Sequence, residues 1–513
     1  MKVSEISYQE TNKFSNLVLD YLKKDEKLKP FVNHFPTLDN FEKQITEKKT
    51  HSINRVVLVD VLSYQNASLS ISGKSKLNIE SLKENSTFTV TTGHQLCLFT
   101  GSLYFIYKII SAINLAEQLQ AKYSNSNFVP VFWMATEDHD FQEINHIHLF
   151  GKKIAWDSKQ SGAVGRMNLD GFESVLTELK SVLGTSENAD KLISLFEKSY
   201  FNHDNLADAT RYLVNELFGK YGLVILDGDD KRLKEQFIST IKKDVLMHGF
   251  EESITKCSED LASKYKAQAY VRSINFFKLS EGKRELIKGE ISVNEIENNP
   301  ISFSPNVLLR PLYQETILPN IAYIGGGAEV AYWMQLKTAF QQENIPFPIL
   351  MLRNSVLFMD DKQNQKRQDL GFTLNDLFLE EHQLQKKFVL NQNDTVVSLQ
   401  DEMDAVENIY ASITAKTTDV GLQNSIKSQQ QKQLKSFKQL EEKLLRLAKQ
   451  KNESSLNQIS KLKQQLFPNN SLQERYDNFI PFYLKSGDNF IEILKENLNP
   501  LNPNFVVLTP KIK

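Results

Sequence analysis

The sequence is poor in cysteine, in net charge and in signal-like or membrane-like apolar runs, and each shortage excludes a class of protein. Only two cysteines, Cys97 and Cys257, occur in 513 residues, so the chain is not a disulfide scaffold and fits a reducing compartment. The net charge of −2 gives no overall field for nucleic acid. The first residues, MKVSEISYQETNKF, contain no apolar signal-peptide core.

The most apolar segment, Leu96 to Ala116, is interrupted by Gly101 and Lys108, so we interpret it as a buried helix with its preceding loop. We therefore expect a cytoplasmic protein that binds neither membrane nor nucleic acid. The sequence also lacks G-x-G-x-x-G after a strand, the P-loop, G-x-S-x-G, H-E-x-x-H and C-x-x-C. The absence of these motifs argues against the common enzyme families that carry them. An enzyme whose motif is less common stays possible.

Strand-like runs alternate with helical patterns through the first part of the chain, residues 1–374. The runs are rich in β-branched and aromatic residues and end at Gly, Pro or Asp, and they lie at 57–62, 86–93, 128–136, 222–229 and 346–353. Helical patterns at 102–122 and 328–343 separate some of them. This alternation predicts an α/β fold with a mostly parallel sheet, which binds ligands beyond the carboxyl ends of its strands. Residues of about 151–220 and 231–300 fit less well and are interpreted as insertions.

Residues 375–467 differ in composition from the preceding part, since glycine is rare and Gln, Lys, Glu and Leu dominate. Apolar residues recur at spacings of three and four, at Leu399, Met403, Val406, Tyr410, Phe437, Leu440, Leu444, Leu447, Ile459, Leu462 and Leu466. This is the pattern of a coiled coil with a break near 417–421, and it predicts an antiparallel hairpin or two packed long helices. The seam serves either packing within the chain or homodimerisation, and we favour the dimer. Residues 468–513, with a strand predicted at 504–510, are expected to return to the α/β part.

Polar clusters follow several of these runs. The loop from Gly93 to Ser102 leads into a helix that carries Tyr104 and Lys108, and either binds an anion or simply caps the helix. The acids and histidine at 137–140 would bind a cation or amine, act as a base, or form a solvated loop. Arg310 and the glycines at 325–327 would hold an anion, or form an ordinary turn. A fourth cluster, 226–234, fits helix capping, and Cys97 is either a nucleophile or, as we favour, a small packing residue.

Three stretches resemble the cysteine-adding enzymes of bacillithiol biosynthesis, the cysteine ligase family. They are TGHQLCLFTGSLYFIYK (92–108), PVFWMATEDHDFQEINH (130–146) and RPLYQETILPNIAYIGGGAEVAYWMQL (310–336), and the segment LQERYDNFIPFY (472–483) resembles it as well. The resemblance implies a Rossmann-like core and a coiled coil that pairs two chains. It also implies that L-cysteine is joined to glucosaminyl-malate through an amide bond, with ATP and Mg²⁺ as the expected means of activating the carboxyl group.

The resemblance and the clusters together assign candidate residues. Asp138 or His139 is the expected base for the attacking amine, and no residue is assigned as a metal ligand. The candidate catalytic residues are Glu137, Asp138, His139 and Asp140. The candidate substrate- or nucleotide-binding residues are Thr92, Gly93, Gln95, Gly101, Tyr104, Lys108, Asn145, Arg310, Gln314, Tyr323, Gly325, Gly326, Glu329 and Tyr332.

This chain departs from the family pattern at a few positions. His94 stands where the pattern has glutamine, so it is not expected to be an essential base, and Cys97, Ser102 and Gly327 also differ from the pattern. Three other functions stay open on the residues alone. They are another nucleotide-dependent ligase or transferase, a metal-dependent hydrolase using residues 137–148, and an assembly protein, although assembly does not need polar clusters after the strands.

Overall fold

A computed structural model describes residues 1–391 and 398–509. The predicted ranges 375–467 and 468–513 therefore include residues outside the described part, as does the strand predicted at 504–510. The described ranges contain thirteen strands. In chain order, β1 to β13 are Lys2–Ser7, Thr87–His94, Asn127–Met134, His146–Leu149, Lys152–Ala155, Val224–Asp227, Phe276–Ser280, Lys283–Leu286, Phe303–Pro305, Asn320–Gly325, Ile349–Leu352, Val356–Phe358 and Asn504–Thr509.

Helices supply most of the regular structure. In chain order, α1 to α23 are Asn16–Leu22, Asn40–Lys49, Arg55–Gln65, Gly73–Ser81, Tyr104–Lys122, Phe141–Ile144, Phe172–Leu183, Glu187–Phe201, Leu206–Phe218, Lys231–Glu235, Ile238–Met247, Glu251–Ala262, Val293–Asn298, Arg310–Ile317, Gly327–Met334, Lys337–Gln342, Asp361–Asp369, Glu381–Leu390, Gln400–Thr414, Val420–Lys451, Glu453–Leu466, Ile480–Ser486 and Asn489–Asn497. Within the described ranges, no helix combines the length and the apolar character that crossing a bilayer requires.

A five-stranded parallel sheet forms the centre of the α/β part. Its strands lie in the order β11–β10–β2–β3–β6, and all of them are almost wholly buried, because helices cover both faces. The chain runs outward from β2 through β3 to β6, and then returns to the other side of β2 with β10 and β11. The strand order therefore reverses between β2 and β10, which is the switch point at which such sheets bind ligands.

Four of the predicted strands, at 86–93, 128–136, 222–229 and 346–353, are confirmed as β2, β3, β6 and β11. The strand predicted at 57–62 is wrong, because these residues form α3, which begins at an Asn54 cap whose side chain accepts from the Val57 N–H. Of its four buried residues, Leu58, Val61 and Leu62 are spaced three and four apart, as on one face of a helix. The fifth strand of the sheet is β10, which the sequence patterns did not predict.

The two ends of the chain meet in a second sheet, in the order β1–β13–β12. Strand β13 pairs antiparallel with β1 and parallel with β12, so the strand predicted near the C-terminus is confirmed over residues 504–509. Two smaller antiparallel units, β4–β5 and β8–β7–β9, stand beside the main sheet. Strands β5, β7 and β8 lie within the segments that the sequence analysis interpreted as insertions, whereas β4 and β9 lie just outside them.

The predicted helical hairpin is confirmed in α19 and α20. Leu399, just before α19, donates its N–H to Glu441, and Gln423 near the start of α20 donates to the Thr417 carbonyl, so the two helices run antiparallel. Met403 of the predicted seam is buried, whereas Leu440 and Leu447 are exposed at 48% and 58%. Part of the predicted seam therefore faces away from the packing within this chain.

Candidate active site

A cavity of about 300 Å³ lies at the carboxyl ends of β2, β3 and β10. Gly93 and His94 end β2, Trp133 lies next to the end of β3, and Tyr323 belongs to β10. The cavity thus lies at the switch point of the sheet, where the loops after neighbouring strands separate and leave room for a ligand. Its volume is at the lower end of the range for small-molecule sites, which suits a small polar substrate.

Residues from distant parts of the sequence converge on this cavity, which we call the switch-point cleft. Trp133 and Ala135 come from the 130–146 stretch. The candidate binding residues that line the cleft come from the other two stretches, and they are Gly93, Gln95, Tyr104, Lys108, Arg310, Gln314, Tyr323, Glu329 and Tyr332. The three stretches that carry the family resemblance therefore build one site.

A buried ion pair crosses the switch point. Lys108 Nζ on α5 lies 2.6 Å from Glu329 Oε2 on α15, and it also donates to the Gly93 carbonyl over 2.7 Å. Burial lowers the pKa of the Lys108 ammonium, and Glu329 opposes that shift. Burial alone would raise the pKa of the Glu329 carboxyl, but Lys108 and the donated hydrogen bonds hold it below its ordinary value. The two charges therefore persist together at the cleft wall.

Of the glycines at 325–327, the first and the third allow close packing that a side chain would disturb. None of them has a positive φ, and Gly326 donates its N–H to Glu329 Oε2 over 2.8 Å. A Cβ at Gly325 would lie 3.0 Å from Glu329 Cβ, and a Cβ at Gly327 would lie 2.9 Å from Val18 Cγ2. The Glu329 carboxylate itself therefore takes the helix start at which an external anion was expected.

His94 is a rigid, neutral imidazole in the cleft wall. Its Nδ1 lies 2.9 Å from the Gln95 carbonyl oxygen, and its ring packs on Tyr104 and Phe105 at centroid distances of 5.1 and 5.0 Å. Burial, and next the Lys108 charge, lower the pKa of His94 to about 3. The carbonyl partner requires the proton on Nδ1, so Nε2 carries the lone pair.

Asp138 reaches the cleft through Arg310. Arg310 donates to both carboxylate oxygens, with the Nη1–Oδ2 bond at 3.3 Å, and Asp138 raises the pKa of the guanidinium although burial works against it. Arg284 Nη1 lies 3.9 Å from Asp138 Oδ1 and 3.0 Å from His139 Nδ1. Burial, and next Arg310, lower the pKa of Arg284 to about 10.

The other predicted catalytic acids lie off the cleft. Glu137 is buried against Lys234, with Oε1 and Nζ 2.6 Å apart, and burial raises the pKa of this carboxyl although Lys234 opposes the shift. Lys234 also donates to the Phe303 carbonyl over 2.8 Å. His139 and Asp140 are exposed. None of the residues 137–140 lines the cleft, and their catalytic role stays a prediction.

Five predicted binding residues do not line the cleft, namely Gly325 and Gly326, described above, and three that make structural contacts elsewhere. Thr92 donates its hydroxyl to the Ile324 carbonyl over 2.9 Å and so ties β2 to β10. Gly101 has a φ of +66°, which the turn before α5 requires. Asn145 donates to the Trp156 carbonyl over 3.2 Å. Their binding role also stays a prediction.

The start of α5 is covered by the segment 473–478, which belongs to the fourth family-like stretch. Leu103 donates its N–H to a carbonyl of this segment over 2.8 Å, and the Ser102 hydroxyl donates to another over 3.1 Å. Asn478 Nδ2 in turn donates to the Phe99 carbonyl over 2.9 Å. The chain itself therefore uses two of the donors at this helix start, and the anion-binding role of the 93–102 loop stays a prediction.

The sequence analysis missed the apolar part of the cleft wall. Trp133, Val307, Pro311 and Trp333 line the cavity. Trp333 stacks on a neighbouring tyrosine ring at 4.2 Å, and its Nε1 has no hydrogen-bond partner among the described residues. The signal was present for Trp133, since this residue lies one position before the carboxyl end of β3, and ligands bind beyond the carboxyl ends of the strands in such sheets.

The side chains of the described residues indicate which cofactors the site could hold. Over residues 1–391 and 398–509, no group of three or more His, Cys, Asp or Glu side chains lies close enough to hold a metal ion. Lys108, Arg310 and Tyr332 are cleft side chains of the kind that bind phosphate. Burial raises the pKa of the Cys97 thiol to about 12, so it stays protonated and does not resemble an activated nucleophile.

The fold and the cleft define a Rossmann-like α/β enzyme that carries a helical hairpin. A family model described as "Bacillithiol biosynthesis BshC, N-terminal Rossmann-like domain" matches residues 1–354, and one described as "Bacillithiol biosynthesis BshC, C-terminal coiled-coil domain" matches residues 356–510. The chain belongs to the BshC family of bacillithiol biosynthesis.

Relatives named "Putative cysteine ligase BshC" match along almost their whole length. The protein of Christiangramia forsetii is 44% identical, over 99% of each chain. The protein of Flavobacterium johnsoniae is also 44% identical, over 98% of this chain and 99% of its own, and that of Bacillus cytotoxicus is 25% identical, over 96% and 97%. The family, the fold class and the prediction of an enzyme are thereby confirmed.

Proposed function

We propose that this enzyme joins the carboxyl group of L-cysteine to the amine of glucosaminyl-malate and so forms the amide bond of bacillithiol. The observation that carries this proposal is the convergence of three family-like stretches, 92–108, 130–146 and 310–336, on one cleft at the switch point. The names of the relatives support cysteine as a substrate and ligation as the type of reaction. The family description supplies the pathway.

Amide formation from a free carboxylate needs an activated carboxyl group, and we propose a nucleoside triphosphate as the co-substrate that supplies it, with Mg²⁺. Lys108 and Arg310 are the cleft cations suited to phosphate or to the malate carboxylates. Both already hold a carboxylate partner, Glu329 and Asp138. A bound anion would therefore share these cations with the protein's own acids, so a ligand of several negative charges suits the cleft better than a neutral one.

Mass spectrometry of an incubation with cysteine and glucosaminyl-malate tests the proposal. With ATP and Mg²⁺ we expect bacillithiol and an equal amount of AMP or ADP, and without ATP we expect neither. Amide formation with a different amine, but not with glucosaminyl-malate, would favour the other nucleotide-dependent ligase. Hydrolysis of a substrate that depends on a metal ion but not on a nucleotide would favour the metal-dependent hydrolase.

We also propose that the helical hairpin pairs two copies of the chain, in the cytoplasm. Leu440 and Leu447 belong to the predicted seam and are exposed on the outer side of α20. Light scattering of the full chain is expected to give twice the mass of one chain, 59.0 kDa. The double variant Leu440→Glu/Leu447→Glu is expected to give the mass of one chain, whereas Lys443→Glu, an exposed change on the same helix, should not.

A further inference from the structure

The switch-point cleft contains one imidazole nitrogen that the protein does not use. His94 lines the cleft at the end of β2, and its Nδ1 is bonded to the Gln95 carbonyl over 2.9 Å. Within the described ranges, Nε2 has no hydrogen-bond partner. The unused lone pair therefore belongs to a side chain of the cleft wall.

Two acids beside the cleft, Asp138 and Glu329, are committed to cations, whereas Glu143, which accepts from Gln95 over 2.9 Å, is exposed to solvent. Asp138 accepts from both Arg310 nitrogens, and Glu329 holds Lys108 over 2.6 Å. A carboxylate that already neutralises a guanidinium or an ammonium is a weaker proton acceptor, because protonation would leave that cation unpaired. Among the ionisable side chains that line the cleft, His94 has no such commitment.

The position of the His94 ring is fixed by its neighbours. Tyr104 and Phe105 pack on it at 5.1 and 5.0 Å, and Cys97 Sγ lies 3.8 Å from Nδ1. A ring held on one nitrogen and packed on two sides loses little freedom when the other nitrogen accepts a proton. Preorganisation of this kind favours proton transfer in a reacting complex.

Burial, and next the positive charges around it, keep the His94 imidazole neutral. Lys108 and Arg353 lower its pKa, and Glu329 raises it. Burial acts in the same direction as the two cations. An anionic substrate group beside Lys108 would offset that cation and raise the basicity of the imidazole at the moment at which both substrates are bound.

The family pattern has glutamine at position 94, so the sequence alone did not predict an essential base there. From the geometry of this chain, we propose instead that His94 Nε2 is the base that takes the proton from the attacking amine in the amide-forming step. This rests on the proposed function. The nitrogen lone pair forms the C–N bond, the bond between the carboxyl carbon and the oxygen of its activating phosphate breaks, and the amine proton goes to Nε2. The electron pair leaves with the phosphate oxygen, the nucleoside triphosphate is the co-reactant, and His94 later releases the proton to solvent.

The variants His94→Ala and His94→Gln test this role. The first removes the ring and the lone pair, whereas the second keeps a hydrogen-bond acceptor but no base. His203→Gln is the matched control, since His203 bonds through Nδ1 to the Ser199 carbonyl and does not line the cleft. Circular dichroism and thermal unfolding check that all three fold.

Two partial reactions separate the base from a structural role. Cysteine-dependent positional isotope exchange in ATP reports carboxyl activation, and hydroxylamine, which is uncharged at neutral pH, traps the activated group without a base. Both are expected to stay within about twofold of wild type in His94→Ala, while amide formation falls by on the order of 10²-fold. His94→Gln should fall similarly, and the control should not.

Equal losses in exchange, trapping and amide formation would overturn the base role, and so would full amide formation in His94→Gln. Nitrogen-15 NMR of the wild-type imidazole gives a readout apart from activity. We expect a neutral ring with its proton on Nδ1 at pH 7, and a proton on Nε2 at that pH would also overturn the proposal. If the wild-type enzyme itself shows no exchange and no product, the proposed function fails, which these outcomes distinguish from failure of the His94 role alone.

Discussion

Lys108 on α5 and Glu329 on α15 meet across the switch point, with Nζ and Oε2 2.6 Å apart. Their helices follow β2 and β10, the two strands between which the strand order reverses. The pair therefore joins the two halves of the sheet at the wall of the cleft. It places one charge of each sign where substrates are expected to bind.

Lys108→Met is expected to destabilise the fold by on the order of 3 kcal/mol, because Glu329 would be left as a largely buried charge without a partner. Urea unfolding measures the loss. The double variant Lys108→Met/Glu329→Gln should recover part of it, since it removes both charges. Lys191→Met, which breaks an exposed pair with Glu187, should change little. A double variant no more stable than the sum of its single changes would contradict coupling between Lys108 and Glu329.

Asp138→Asn is expected to raise the KM for the anionic substrates by on the order of tenfold and to change kcat less. The physical reason is that Asp138 orients Arg310 through two hydrogen bonds, and an amide holds a guanidinium more weakly than a carboxylate does. Steady-state kinetics separate the two constants. Asp157→Asn, at an exposed position, is the control. A fall in kcat with an unchanged KM would instead support Asp138 as the base predicted from the sequence.

Asn478→Ala is expected to loosen the loop before α5. Asn478 Nδ2 donates to the Phe99 and Gly101 carbonyls, and the loss of two buried hydrogen bonds costs about 1–3 kcal/mol. Thermal unfolding and limited proteolysis at the 97–103 loop measure the effect. Asn497→Ala, which removes a bond to the Ile493 carbonyl within one helix, should leave the loop protected. Equal protease resistance in Asn478→Ala and wild type would contradict this role.

The carboxyl group of Asp244, which does not line the cleft, makes the free energy of unfolding depend on pH. Burial raises the pKa of this carboxyl to about 6, although Asn275 donates two hydrogen bonds to it. The folded protein therefore binds the Asp244 proton more tightly than the unfolded chain does. This proton stabilises the fold fully at pH values below the pKa of Asp244 in the unfolded chain. The stabilisation is lost as the pH rises through about 6, the pKa in the folded protein.

The variant Asp244→Asn removes this titration while it keeps an oxygen for the Asn275 N–H. Between pH 5 and 7.5, the wild type is expected to lose on the order of 1 kcal/mol of unfolding free energy relative to the variant. Urea unfolding at the two pH values measures the difference. The same difference at both values would show that this carboxyl does not titrate in that range.

The sequence indicates the sheet well where strands are long and buried and end at a polar turn, as β2 and β3 do. It fails at 57–62, because β-branched residues suggested a strand whereas the burial of Leu58, Val61 and Leu62 follows the turn of a helix. It fails at β10, because the five residues between Pro319 and the three glycines are bounded on both sides by residues typical of loops. In both cases, packing against the rest of the fold decides the structure.

The motifs locate the cleft but not the partners of its charges. Lys108, Arg310 and Glu329 were predicted, yet the pairing of Arg310 with Asp138 joins residues 172 positions apart and follows only from the way the sheet brings the loops together. The cover over the start of α5 comes from residues 473–478, near the other end of the chain. Such contacts depend on topology, which local patterns do not contain.

Oxygen-18 in the carboxyl group of cysteine tests most directly the claim that the cleft activates this group and then forms the amide. After incubation with glucosaminyl-malate, ATP and Mg²⁺, we expect bacillithiol and one labelled oxygen in AMP or in inorganic phosphate, according to which phosphate was attached. Lys108→Met/Glu329→Gln should transfer far less label. Bacillithiol without label in either phosphate product, or no bacillithiol from folded protein with all substrates present, would contradict the account.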